Sequence, residues 1–403
     1  MPPIRLPFRH LVRALAVALL ACTSWAEGKP YIPQNGAQVI ETLPRRSDPV
    51  QRALLRQRAE LAAQPRNLTL ATSLAQRYIA MARSETDPRY LGYAQAALAP
   101  WWSTPAAPPA VRLLRATILQ STHHFEAALT DLDGVIAAEP GNGQAWLTRA
   151  IVRTVRGDYA GARTDCARLS SLANELVTAT CLTNIGSVTG SALQSERLLE
   201  RMVERGAGAD PELQVWSLTL LADMASRRGA AANAQARYQR ALAGNPGDSY
   251  LLGAYADFLL EQGRPAEVLT LLQDQDRIDA LLLRRALALQ QMPGNAAALA
   301  DATAELGRRF DAAMRRGDSV HQREQARFEL SLRRDAAAAL RLARQNWLVQ
   351  KETPDMVIYL EAALRAGDPA AARPVLDWVR ANRTEDVAIA RLTGQLQLAP
   401  QAR

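Results

Sequence analysis

The residues able to do chemistry in this chain are few and poorly placed for it. Beyond position 26 there are three histidines, His123, His124 and His321, and two cysteines, Cys166 and Cys181. Adjacent histidines diverge on a helix, so His123 and His124 chelate poorly. No Cys or acid stands beside them at the spacing of a zinc site. They are expected to lend polarity to a turn. No H-E-x-x-H, P-loop or G-x-S-x-G sequence occurs, and no spacing nominates a pair of carboxylates for acid–base work. The expectation is a chain with no catalytic, cofactor-binding or metal-binding residues, hence not an enzyme.

Two copies of Arg-Gly-Asp, at 156–158 and 316–318, carry the tripeptide that adhesion receptors read. Helix punctuation accounts for them equally well. Gly ends a helix in the left-handed region, Asp caps the next helix, and Arg in a last turn meets the negative end of the dipole. "RAGDPAAA" repeats this order around Gly367 and Asp368, with Pro369 opening the next helix. Both tripeptides are read as turns.

Cys166 and Cys181 lie seven or eight residues on either side of a turn centred near Leu172–Asn174. Antiparallel helices bring such positions to one height. The pair is a candidate disulfide closing a loop of about 15 residues. The alternative is two small buried thiols. There is no Cys-x-x-Cys to support redox chemistry.

The elements that must hold these residues are helices. The 403 residues are 48% apolar, 22% charged and 5% aromatic, with runs of Ala, Leu and Arg and few β-branched stretches. A 34-residue period emerges when segments are counted from Pro109, Gly143, Val215 and Ser249. Ala116, Ala150, Ala222 and Ala256 then share the eighth position. Ala128, Ala162, Ala234 and Val268 share the twentieth. His123, Gly157, Gly229 and Gly263 share the fifteenth. Small residues at two fixed places let paired helices approach closely, and one such hairpin cannot bury its apolar face alone.

This pattern resembles the tetratricopeptide repeat family. The order of repeats is also similar to that of uncharacterised exported repeat proteins from Gram-negative bacteria. The resemblance implies an all-α, right-handed superhelical solenoid of antiparallel helix hairpins. It spans 109–275 clearly, with degenerate hairpins over 48–108 and, ending in a cap, over 276–403, about nine in all. In that family the second, fifth, ninth and twelfth positions of a repeat face the concave groove. The resemblance thus nominates Trp216, Asp223, Tyr250 and Asp257 as partner-binding residues, contacting a protein or peptide. Trp216 and Tyr250 have a second reading, as rings that seal one repeat against the next.

The first 26 residues read as a signal peptide. Arg5, Arg9 and Arg13 precede the apolar run Ala14 to Cys22, and small residues lead to a cleavage expected after Ala26. Leu19-Leu20-Ala21-Cys22 offers an alternative, lipidation of Cys22. No stretch is long and apolar enough to span a membrane. Residues 27–47 form an extended leader. All but two (Lys29 and Lys351) of the 48 basic residues are arginine, and they form no block, so nucleic acid is not an expected partner. The expected function is an exported, periplasmic or secreted, non-enzymatic scaffold that binds a protein or peptide partner in its concave groove, with envelope complex assembly as its use. The alternatives are a lipid-anchored envelope factor and a glycan or polysaccharide-export accessory using Trp101, Trp102, Trp216 and Trp347.

Overall fold

The computed structural model describes Asn35 and residues 49–398, except 207, 209, 318 and 319. The cleavage after Ala26, Cys22 and the 27–47 leader lie outside the described residues, as does Asp318 of the second Arg-Gly-Asp. The chain divides into two units. Of the first, Met1–Ala53, only Asn35 and the start of the helix Pro49–Ala63 are described. The second unit, Leu54–Arg403, holds the rest of the described helices.

Among the described residues there is no strand, and consecutive helices pair into nine hairpins, numbered here in chain order. Hairpin 1 joins Leu68–Ser84 to Arg89–Ala97. Hairpins 2 and 3 follow with Pro109–Ser121, Phe125–Ala138, Gly143–Arg156 and Tyr159–Arg168. Hairpin 4 pairs Glu175–Ser187 with Ala192–Arg205, and hairpin 5 pairs Pro211–Arg227 with Ala231–Gly244. Hairpin 6 is Ser249–Glu261 and the short Pro265–Leu271. Hairpin 7 is Asp279–Gln291 and the long Ala296–Arg315. In hairpin 8, Gln322–Phe328 runs into a π turn, Glu329–Arg333, before Ala336–Val349. Hairpin 9 is Thr353–Arg365, a 3-10 turn Pro369–Ala372 and Arg373–Asn382. Val387–Leu398 ends the stack.

The aligned positions do what their sizes predict. Ala116, Ala150, Ala222 and Ala256, and opposite them Ala128, Ala162, Ala234 and Val268, are all fully buried. With no bulk there, the paired helices close and larger side chains fill the spaces alongside. The fifteenth positions hold the left-handed turn: φ is +83° at Gly157, +74° at Gly229 and +68° at Gly263. His123, which has a Cβ, still adopts +58°.

The first Arg-Gly-Asp is such a turn. Gly157 ends its helix, Asp158 accepts from Gly161 N–H at 2.9 Å, and Arg156 pairs with Glu126 at 2.5 Å. Gly317 is also left-handed, φ +71°. Gly367 and Asp368 repeat the device: Asp368 accepts from Ala371 N–H at 3.0 Å.

Cys166 and Cys181 are joined by a disulfide, with Cα atoms 5.6 Å apart. It ties the second helix of hairpin 3 to the first of hairpin 4, and both residues are buried. A second tie was not anticipated from sequence. Buried Asp131 receives Arg115 through two 2.6 Å bonds. One period later buried Asp165 receives Arg149 at 2.9 and 2.7 Å and Arg153 at 2.9 Å. Each joins the two helices of its own hairpin. The paired geometry satisfies charges that would otherwise be costly to bury.

The solenoid also touches itself. Lys351 N–H donates to Val155 O at 2.8 Å, and the Tyr159 hydroxyl lies 3.4 Å from Lys351 O. The Trp378 ring stands 5.9 Å from that of Tyr159 and covers Gly157, where a Cβ would fall 2.5 Å from it. Thr384 Oγ1 donates to Val188 O at 3.2 Å, and Glu385 accepts from Ala192 N–H at 3.3 Å. The last hairpins therefore seat on the turns of hairpins 3 and 4, six hairpins earlier, and one turn of the superhelix closes on the next.

Candidate functional site

Inside this turn of the superhelix lies an open-sided cavity of about 2110 Å³. Its walls come from the first helices of hairpins 5, 6 and 7, with contributions from hairpins 1, 8 and 9 and the last helix. Asp223, Tyr250 and Asp257 line it, as do Ser226, Gly253 and Leu260 of the same register. Trp216 does not. Its ring packs on the apolar cluster running through hairpins 4 to 7, the sealing role open to it from the sequence. Thr219 is likewise buried, its hydroxyl bonded to Val215 O at 2.8 Å. Early positions in this helix turn toward the neighbouring repeat, and only its later turns reach the cavity.

The two aspartates are already engaged. Asp223 accepts from the Tyr238 hydroxyl at 2.6 Å and the Tyr250 hydroxyl at 3.1 Å. Burial raises its pKa. The Asp223 charge, with desolvation, holds the Tyr250 phenol well above its usual range. Tyr250 is 61% exposed, but the surface it exposes faces the cavity. One end is thus fixed while the ring stays free.

Asp257 sits between Arg284 and Arg327, at 2.5 Å from each. Burial would raise its pKa, yet the two guanidiniums outweigh that and lower it. The other wall acids are similarly used. Glu352 and Glu324 pair with Arg323, Glu361 with Arg365, and Asp279 with Arg309. Asp386 caps the last helix through Ala388 and Ile389 N–H. Among the described residues Glu261 alone of these acids has no hydrogen bond or ion pair. Burial by the cavity walls, then the Asp257 charge, lifts it to about 7.

That shift has a measurable sign. An unfolded glutamate titrates near 4.3, so a folded-state value near 7 opposes folding wherever Glu261 is ionised. The penalty is full above pH 7 and disappears as pH falls toward the unfolded value. Glu261→Gln is therefore expected to melt above the wild type at about pH 8, with the gap closing by about pH 5. Melting curves across that range check it. A gap independent of pH would mean that Glu261 titrates normally.

No group of His, Cys, Asp and Glu among the described residues is arranged to hold a metal. His123 and His124 are in the turn of hairpin 2, where burial lowers the pKa of His123. Trp347 is core, and Trp101 and Trp102 pack against the apolar cluster around hairpin 1.

The family model of the tetratricopeptide repeat matches residues 225–281, from the end of the first helix of hairpin 5 to the start of hairpin 7. That stretch is a tetratricopeptide-repeat segment. Its repeats build the walls just described. Solved tetratricopeptide-type and related structures are similar in part. A tetratricopeptide repeat protein from Parabacteroides merdae has 13% identity over 72% of this chain and 98% of its own, with a TM-score of 0.37. Yeast Tom70 has 9% identity over 82% and 94%, TM-score 0.26. Human IFIT1, solved as a dimer with m7Gppp-AAAA, has 14% identity over 87% and 85%, TM-score 0.40. No curated protein matches the sequence. No helix among the described residues is long and apolar enough to cross a membrane.

Proposed function

We propose that this protein is an exported, non-enzymatic scaffold that takes an extended segment of a protein partner into its central cavity. The observation that carries the reading is Tyr250, a ring held at its hydroxyl by Asp223 and otherwise largely exposed in the cavity. A fixed aromatic gives contact area at low entropic cost. Closure of the superhelix favours an extended segment, because a folded domain would need the ring of hairpins to open. Export rests on the signal-like first 26 residues, with lipidation at Cys22 as the second route to the same envelope. The glycan reading is weaker, because the four tryptophans nominated for it are packed against apolar clusters.

The test is calorimetric titration of display-selected linear peptides into the wild type and Tyr250→Ala. The variant is expected to bind about tenfold or more weakly with little change in melting temperature, since the ring is not core. If the two bind alike, the cavity is not the site. Intact mass of the mature chain from an envelope fraction separates cleavage after Ala26 from lipidation at Cys22.

A further inference from the structure

The sequence nominated acids as the groove's contact groups, but in the structure those acids are spent on tyrosines and arginines. What the cavity leaves over is positive. Arg83, Arg277 and Arg334 line it, and among the described residues none of their guanidiniums donates a hydrogen bond or forms an ion pair. Arg277 lies near Asp87, but Asp87 is already gripped by Arg89 through three bonds of 2.5 to 2.9 Å. Glu261 is the one wall acid without a partner, and its raised pKa leaves it partly protonated at neutral pH. Charges of one sign inside low-dielectric walls focus their field on whatever enters.

Arg334 adds a second, independent observation. It follows the π turn Glu329–Arg333 with φ +59°, a backbone region where glycine is the unstrained choice. A bulky residue there, with its side chain lining a cavity, points to use.

We infer that the segment taken into the cavity is acidic, its carboxylates received by Arg83, Arg277 and Arg334. This rests on the reading of the cavity as a segment-binding site. A single-stranded nucleic acid is the other anionic polymer of suitable width. It fits less well, because successive bases need several aromatic platforms and Tyr250 is the one Phe, Tyr or Trp ring of the lining that is largely exposed.

The experiment is fluorescence anisotropy of the full chain with unstructured labelled peptides that are Asp/Glu-rich, neutral or Lys-rich, and with a labelled oligonucleotide. It is run beside the variant Arg83→Gln/Arg277→Gln/Arg334→Gly. Arg334→Gly removes charge and backbone strain together, so it is expected to melt no lower than the wild type. The acidic peptide is expected to bind, to weaken with added salt, and to bind the triple variant about tenfold or more weakly. Equal binding of neutral or Lys-rich peptides, or an unchanged triple variant, overturns the acidic assignment and leaves the cavity reading standing. Binding of the oligonucleotide without the acidic peptide overturns it in favour of nucleic acid. Failure of every peptide overturns both readings.

Discussion

Trp378→Ala is expected to lower the stability of this chain by about 3 kcal/mol, the low end for a tryptophan truncation because the ring is only half-buried. Trp378 touches one residue, Tyr159, that no ordinary solenoid would bring to it. It lies against Tyr159 at 5.9 Å, meets Trp347 edge-on at 5.9 Å, and is approached by the Lys351 ammonium at 5.7 Å. Open repeat arrays depend on contacts between neighbours alone. Here one ring joins hairpin 9 to hairpin 3, so its loss should be felt in both. Hydrogen exchange is expected to quicken together in 143–168 and 353–382 while hairpin 6 stays protected. Gly157→Ala attacks the same seat from the other side. It places a Cβ 2.5 Å from the Trp378 ring and imposes φ +83° on a residue that resists it. A loss below about 1 kcal/mol for Trp378→Ala would show the junction to be marginal. The cavity as a fixed feature, and the preference for an extended partner, would then lose their basis.

Removing the disulfide by Cys166→Ala/Cys181→Ala is expected to cost about 3 kcal/mol, the chain-entropy value for a loop of about 15 residues. The bond lies at a sensitive place. Hairpins 3 and 4 carry the turns on which Trp378, Thr384 and Glu385 seat. Loosening one hairpin against the next should weaken that seat as well as the local helices. Chemical denaturation of the variant, and of the wild type with reductant, is expected to give matching shifts in midpoint. Two titratable thiols in native, unreduced protein would remove the prediction at its source.

Much of the repeat architecture was legible because its causes are local. An alanine at the eighth position, a left-handed residue at the fifteenth and an Asp or Asn before a helix each act within a few residues. The same is true of the two cysteines, whose heights follow from distance to one turn. His123 shows the strength of the frame: aligned with three glycines, it takes their backbone conformation despite its Cβ. The register also placed Asp223, Tyr250 and Asp257 on the cavity side. Trp216 departs from that register because its end of the helix faces the next repeat, where a large apolar ring is worth more buried than exposed.

The sequence by itself thus determined the helices, their turns, the pairing into hairpins and the period at which they stack. Only the tertiary structure decided what the stack encloses. Which hairpins meet after one superhelical turn depends on small rotations summed over six of them, and no short stretch records that sum. The same holds for charge. Asp257 reads as a free contact residue until Arg327, 70 positions later, is brought to it. Electrostatic character belongs to the groups left unpaired after folding, so the acids that marked the groove in sequence end as its structure, and the arginines as its open charge.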